Sequence, residues 1–196
     1  MSDAPQSPST ASPDAAGVRS VVLIGAPGAG KSTVGVMVAR RLGVDFVDVD
    51  DVIEHRAGKP ISEIFVDEGE AHFRRVERET TLELLRSGGV VSLGGGAVMD
   101  PEIRAALAGH DVVWLKVSIT QATRRIGMNT LRPLLLGNVR SRLVALLKER
   151  TPLYEQCATL TIDTDGLKAR QAARQVVEAL TGRSDPSDAD DQEFHD

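Results

Sequence analysis

An α/β fold, three layers deep with a five-stranded parallel sheet flanked by helices, is what this sequence predicts. Three observations carry that expectation. Short apolar runs rich in β-branched residues recur near positions 20, 46, 91, 113 and 161, as strands buried on both faces require. The stretches between them are long enough for crossover helices, which is how parallel strands are joined. At 196 residues, with 41% hydrophobic but only 3% aromatic residues, the chain suits one domain whose core is built from Val, Leu, Ile and Ala.

The first run, Val21 to Ile24, feeds Gly25-Ala-Pro-Gly28-Ala29-Gly30-Lys31-Ser32-Thr33. A strand, a glycine-rich turn and a helix start with Lys and Ser at its mouth form a phosphate-binding loop. The glycines let successive backbone N–H groups curl around a phosphate, and the positive end of the helix faces the same anion. Gly28, Ala29, Gly30, Lys31, Ser32 and Thr33 are therefore the candidate nucleotide-binding residues. Lys31 reaches for the β- and γ-phosphates, and the Ser32 hydroxyl for Mg²⁺. A plain Gly-rich turn would leave the Lys-Ser pair unexplained.

The following helix is expected over Lys31 to Leu42, with Val34, Val38 and Leu42 at helical spacing and Gly43 as its stop. Asp45 to Asp50 reads as a short extended segment with acids at its carboxyl end, where open parallel sheets present their ligands. Alternation would aim Asp48 and Asp50 the same way; the competing reading is a solvated turn with Asp50 or Asp51 as helix N-cap. Helices are expected from Asp51 to Ala57, from Pro60 onward with Ser62 as cap, and from Gly69 to about Arg86. In the last of these Arg74 and Glu77 stand at i,i+3 and Phe73 and Glu77 at i,i+4, so they share a face.

Gly89 to Ala97 is a second buried run ending in Gly94-Gly95-Gly96. Three glycines weaken a regular element but allow close approach of a ligand to backbone N–H donors. Asp100 and Pro101 open a helix at N-cap and N1. Asp111 to Val117 is a strand carrying the one Trp, read as packing, and Ser118 caps a helix containing Arg124 and Arg125. Gly127 to about 140, bracketed by Gly, Asn and Pro around Leu131-Arg132-Pro133, suits a mobile lid. A helix from about Val139 to Gln156 is expected to be interrupted at Pro152. Thr159 to Asp163 supplies the last strand and Leu167 to Leu180 the last helix.

The formal charge of −5 resides wholly in the segment after Gly182, where six acids face one arginine. A neutral body gives no electrostatic case for nucleic acid or an anionic membrane. Residues 1–17 and 183–196 read as disordered tails around a domain at 18–182. There is neither a bilayer-length apolar run nor a secretory signal, and the single cysteine, Cys157, fits a reducing cytoplasm as a packing thiol. His55, His72, His110 and His195 show no metal-ligand spacing.

Taken together, GAPGAGKST at 25–33, FVDVDDVIE at 46–54, ISEIF at 61–65, GEAHFRRVE at 69–77, SLGGGAV at 92–98, LRPLL at 131–135 and RTPLY at 150–154 resemble the shikimate kinases, small P-loop kinases of the nucleoside-monophosphate-kinase-like group. The likeness spans about residues 19 to 180. It implies ATP-dependent phosphorylation of the 3-hydroxyl of shikimate in aromatic amino-acid biosynthesis, by a cytoplasmic monomer with a substrate-binding region at about 48–80. It also implies residue roles. Asp50 would bind the substrate hydroxyls and orient or deprotonate the attacking one, and Asp48 would hold Mg²⁺ through water beside Ser32. Arg74, Arg150 and Gly94, Gly95 and Gly96 would bind substrate, with Glu77 orienting Arg74 and Phe65 and Phe73 lining the ring pocket. Lys31 and the lid residue Arg132 would stabilise the transferred group, Arg132 reaching both ATP and the substrate, and Arg125 would stack on adenine. One stretch departs from the pattern: Thr164 to Arg170 lacks the proline of the adenine loop that many relatives carry. The alternative within enzymes is a small P-loop kinase for another polyol acid such as gluconate.

Overall fold

The computed structural model describes residues 19–128 and 136–182, with side chains described over 19–126 and 140–182. The expected tails, and residues 129–135 of the expected lid with Arg132, lie outside the described residues.

Five parallel strands form one sheet: β1 (Val21–Ile24), β2 (Phe46–Asp48), β3 (Val90–Ser92), β4 (Asp111–Lys116) and β5 (Leu160–Asp163), in the order β2-β3-β1-β4-β5. The expected α/β class and all five strand positions hold. Helices connect them: α1 (Lys31–Leu42), α2 (Val49–Ala57), α3 (Ile61–Asp67), α4 (Glu70–Leu85), α5 (Pro101–Ala106), α6 (Ile119–Met128), α7 (Leu136–Cys157) and α8 (Ala169–Thr181). The apolar residues of β1 divide between two cores. Val22 and Ile24 face a cluster with Ile53, Phe73, Val91, Ile103, Trp114 and Tyr154. Leu23 faces the opposite cluster with Val34, Val38, Leu115, Ala173 and Val176. A strand whose side chains alternate between two covered faces must be apolar throughout, which is the pattern the sequence carries.

Local chemistry fixes the element ends. Gly43 and Gly58 close α1 and α2 in left-handed conformation. Asp100 accepts from the N–H groups of Glu102 and Ile103 with Pro101 at N1, and Ser118 Oγ accepts from Gln121 N–H. Three expectations are corrected. Asp48 and Asp50 are not alternating positions of one strand: β2 ends at Asp48, which itself caps α2 by accepting from Asp50 N–H at 3.1 Å. That bond satisfies one of the orphan donors of the first turn, a local gain that extended geometry could not supply. Helix α3 starts after Pro60 without a side-chain cap, so Ser62 does not serve. Helix α7 runs through Pro152. Proline removes one helical hydrogen bond, but α7 is held on both sides of that point, by Leu143 in one core and Tyr154 in the other.

Winding out from central β1 in both directions brings the carboxyl ends of β1, β2 and β3 together, where ligands of open α/β sheets bind. Gly25 sets the bend at the end of β1. Its φ is +142°, and a Cβ there would stand 2.6 Å from the Leu115 carbonyl oxygen on β4. Because the obstacle is backbone within the sheet, Gly25→Ala is expected to cost about 2–4 kcal/mol in urea unfolding. A loss below about 0.5 kcal/mol would show that the β1–β4 contact can yield.

Candidate active site

The phosphate loop wraps the start of α1. Gly28 and Gly30 both take positive φ, and Gly30 caps the helix without offering a side chain, so the first N–H groups of α1 are left for a ligand. Gly28 also passes under α6, where a Cβ would meet the Ala122 carbonyl at 2.9 Å. Gly28, Gly30, Lys31, Ser32 and Thr33 line a cleft of about 390 Å³ closed on its far side by Arg125 and Ile126. Ala29 is buried beneath it. Lys31 Nζ donates to the carbonyls of Gly25 at 2.9 Å and Ala26 at 3.3 Å, which parks the ammonium over the loop. Burial lowers its pKa, and the charges of Asp48 and Asp50 oppose that shift.

Arg125 reaches from α6 to the carbonyls of Gly28 and Ala29 and donates to both Thr164 Oγ1 and the Thr164 carbonyl. The guanidinium is thereby fixed at the cleft wall, next to the Thr164–Arg170 stretch whose sequence departs from the family pattern. Ser32 Oγ donates to Asp48 Oδ2 at 2.7 Å. A hydroxyl and a carboxylate at the mouth of a phosphate loop are a hard-oxygen pair of the kind that holds Mg²⁺ together with water and phosphate oxygens. Among the described residues no group of three or more His, Cys, Asp or Glu is gathered as a metal cage.

Asp50 sits one residue into α2 and is half-buried. Oδ1 is buried without a hydrogen-bond partner. Burial first, then the charges of Asp48 and Glu77, push its pKa up to about 6, with Lys31 pulling the other way. A carboxyl whose charge burial disfavours, with one buried oxygen free of hydrogen bonds, is a candidate proton acceptor.

Behind it lies Glu77, 2% exposed. Burial pushes its carboxyl up, while Arg74 and Arg150 pull it down. Arg74 donates to Glu77 Oε2 at 2.7 Å and to Glu70 Oε1 at 3.2 Å, and its guanidinium lies 5.3 Å from the Phe73 ring centroid. Phe65 and Phe73 meet with ring centroids 4.7 Å apart. The Arg150 guanidinium has a buried Nε without a partner, and its charge acts on Lys31, Glu77 and Tyr154.

Gly94, Gly95 and Gly96 run between these groups. None takes positive φ, so their need for glycine is one of space. A Cβ on Gly94 would stand 2.6 Å from Glu77 Oε1 and 2.8 Å from Asp50 Oδ1; on Gly95, 3.1 Å from Pro27; on Gly96, 2.6 Å from an Arg74 nitrogen. Gly94→Ala is expected to leave the protein folded but to push Asp50 and Glu77 off position. Turnover should then fall about ten- to a hundredfold. Circular dichroism with steady-state kinetics checks both halves, and near-normal turnover would mean that Asp50 tolerates displacement.

The structure thus brings Lys31, Ser32, Asp48, Asp50, Phe65, Phe73, Arg74, the three glycines and Arg150 together at the carboxyl ends of β1, β2 and β3, with Arg125 at the wall of the phosphate-loop cleft; Arg132 lies outside the described residues. Two contacts went unread in the sequence. Tyr154 donates to the Gly95 carbonyl at 2.6 Å, a partner 59 positions away. His110, given no role, accepts from Ser20 N–H through Nδ1 at 3.0 Å and ties the start of β1 to the start of β4. Cys157 is half-buried against the Tyr154 core, as a packing thiol.

A shikimate kinase family model matches residues 27–181. The chain belongs to the shikimate kinase family. It is 53% identical over 165 residues to the shikimate kinase of Thermobifida fusca, covering 84% of this chain and 96% of that one. Among solved structures, shikimate kinase from Acinetobacter baumannii in complex with shikimate superimposes with a TM-score of 0.76 at 36% identity, over 84% of this chain and 94% of that chain. A gluconokinase from Sinorhizobium meliloti reaches a TM-score of 0.50 at 18% identity, a likeness of fold alone. No helix among the described residues is long and apolar enough to cross a membrane.

Proposed function

We propose the following division of labour for the shikimate kinase reaction in this chain, in which ATP and shikimate give ADP and shikimate 3-phosphate. The observation that carries it is the buried, unpartnered Asp50 Oδ1 beside the glycine run and within reach of the Lys31 charge. Asp50 accepts the hydrogen bond of the 3-hydroxyl and takes its proton as that oxygen bonds to the γ-phosphorus. The bond from phosphorus to the β,γ-bridging oxygen breaks in the same displacement, and ADP leaves. With a pKa of about 6 the carboxylate is ionised at neutral pH yet basic enough to take a proton late in the step.

The phosphate loop and the start of α1 hold the phosphates. Lys31 leaves the Gly25 and Ala26 carbonyls to meet the charge on the transferred group. Ser32 and Asp48 would hold Mg²⁺; the ion when bound would neutralise phosphate charge. Arg74, kept in place by Glu77, and Arg150 grip the substrate carboxylate, which a planar guanidinium matches with two parallel bonds. Gly94 to Gly96 add backbone donors, and Phe65 with Phe73 close the ring pocket. Arg125 backs the adenine end.

Release of ADP from Mg·ATP, measured with shikimate, gluconate or no acceptor, tests the reading. Release that depends on shikimate alone is expected. Release with gluconate only, or with neither, overturns the acceptor half and leaves the nucleotide half standing.

A further inference from the structure

Tyr154 takes no part in the reaction as described, yet its placement is exacting. The residue has no solvent exposure. Its ring is stacked on Trp114 with centroids 5.9 Å apart, and its hydroxyl donates to the Gly95 carbonyl at 2.6 Å. One turn earlier on α7, on the same helical face, stands Arg150, whose guanidinium acts on that hydroxyl. A peptide is planar and trans, so fixing the Gly95 carbonyl turns the Gly96 N–H the opposite way. Neither the Gly95 nor the Gly96 N–H has a backbone acceptor among the described residues. Both belong to the strip that a Cβ would close against Arg74 and Pro27.

We propose that Tyr154 is a positioning residue for the substrate carboxylate: its hydroxyl locks the Gly95–Gly96 peptide to the face of α7 that carries Arg150, so backbone donor and guanidinium meet the anion at a fixed spacing. This inference rests on the carboxylate-gripping role given above to Arg150 and the glycine run. Glycine makes the need plain. A run of three has more backbone freedom than any other tripeptide, and donors that must be pre-aimed to be worth their interaction require a restraint from outside the run. No side chain within the run can supply it, and the bond from Tyr154 does. Burial pushes the phenol up to about 12, so it remains a donor throughout the working pH range.

The test is Tyr154→Phe, which removes the hydroxyl and keeps the ring on Trp114. The KM for shikimate is expected to rise about tenfold, with kcat and the KM for ATP within about twofold of wild type, because aiming is lost at one end of one substrate. A merely structural role would lower stability and disturb both substrates alike. An unchanged shikimate KM, or equal changes for shikimate and ATP, overturns the proposal. A second readout does not depend on that variant folding. The chain has one tyrosine, so protein grown with 3-fluorotyrosine carries a single fluorine label at Tyr154. Its ¹⁹F resonance should move on saturation with shikimate and stay in place with ADP alone. A resonance that ignores shikimate in active enzyme also overturns the proposal. Wild-type enzyme whose ADP release ignores shikimate would instead sink the substrate reading beneath it, so the two failures are told apart.

Discussion

Asp50→Asn is expected to lower turnover by a factor of a hundred or more while leaving ATP binding largely intact. The amide keeps the size of the carboxyl and its place at the start of α2 but cannot take the proton of the attacking hydroxyl, and a positioned base contributes about a hundred- to ten-thousandfold. The pH profile supplies the signature. For wild type, kcat/KM should fall about tenfold per pH unit below about 6, the point to which burial and the neighbouring Asp48 and Glu77 charges raise the Asp50 pKa. In the variant that limb should vanish. Stability moves the opposite way. The folded-state pKa lies above the ordinary carboxyl value of 3.8, so the native protein binds the proton more tightly than the unfolded chain does. The stabilisation from that proton is fully present below about pH 4 and is lost as pH rises through about 6. Asparagine resembles the protonated form at every pH. The variant should therefore match wild type near pH 4 and be more stable by about 1–3 kcal/mol at pH 7.5 in the absence of ligands. Urea unfolding at the two pH values decides this. A variant with normal turnover removes Asp50 from the chemistry, and one destabilised at pH 7.5 shows that the carboxylate has a partner that its surroundings do not reveal.

That trade of stability for function explains which parts of the molecule are legible in the sequence. The phosphate loop is legible because its chemistry lies in consecutive residues: Gly25 to Thr33 specify a turn, a cradle and a cation at once. Arg74 and Glu77 are legible as a pair because i,i+3 spacing on a helix is itself a contact, and the structure holds them at 2.7 Å. Asp48 and Asp50 are legible as residue types but not as geometry. Whether an acidic residue continues a strand or caps a helix turns on one hydrogen bond, from Asp50 N–H to the side-chain Oδ1 of Asp48, which alternation does not encode. The course of α7 fails for a related reason. Proline carries a local penalty that any sequence reader sees, whereas the opposing packing of Leu143 and Tyr154 in two separate cores comes from residues scattered over the chain. Gly94 to Gly96 are legible as a place of close approach. The groups that approach most closely are the protein's own Asp50, Glu77 and Arg74, and no periodicity announces them. Tyr154 is the extreme case, for its partner is a backbone carbonyl.

Lys31→Met should give the other large effect, a loss of turnover of about a thousandfold together with a raised KM for ATP. The methionine keeps most of the unbranched stem and removes the charge. In the structure that charge rests on the Gly25 and Ala26 carbonyls, neutral acceptors that a phosphate oxygen readily outcompetes for an ammonium. The lysine therefore waits beside the place where negative charge develops and has only to exchange these two carbonyls for phosphate oxygens. Removing one such pre-aimed donor costs about a hundred- to a thousandfold in other sites built on this principle, and loss of phosphate binding adds to that. Folding should not suffer, because burial disfavours the ammonium at this position; the melting temperature of the ligand-free variant should equal or exceed that of wild type. The pairing of the two readouts makes the test sharp. A dead but unfolded variant would make Lys31 a structural clamp of the loop, and a folded variant with turnover within tenfold of wild type would move the main stabilising charge elsewhere. The expected outcome, folded and inactive, is what a cation held ready on two backbone carbonyls implies.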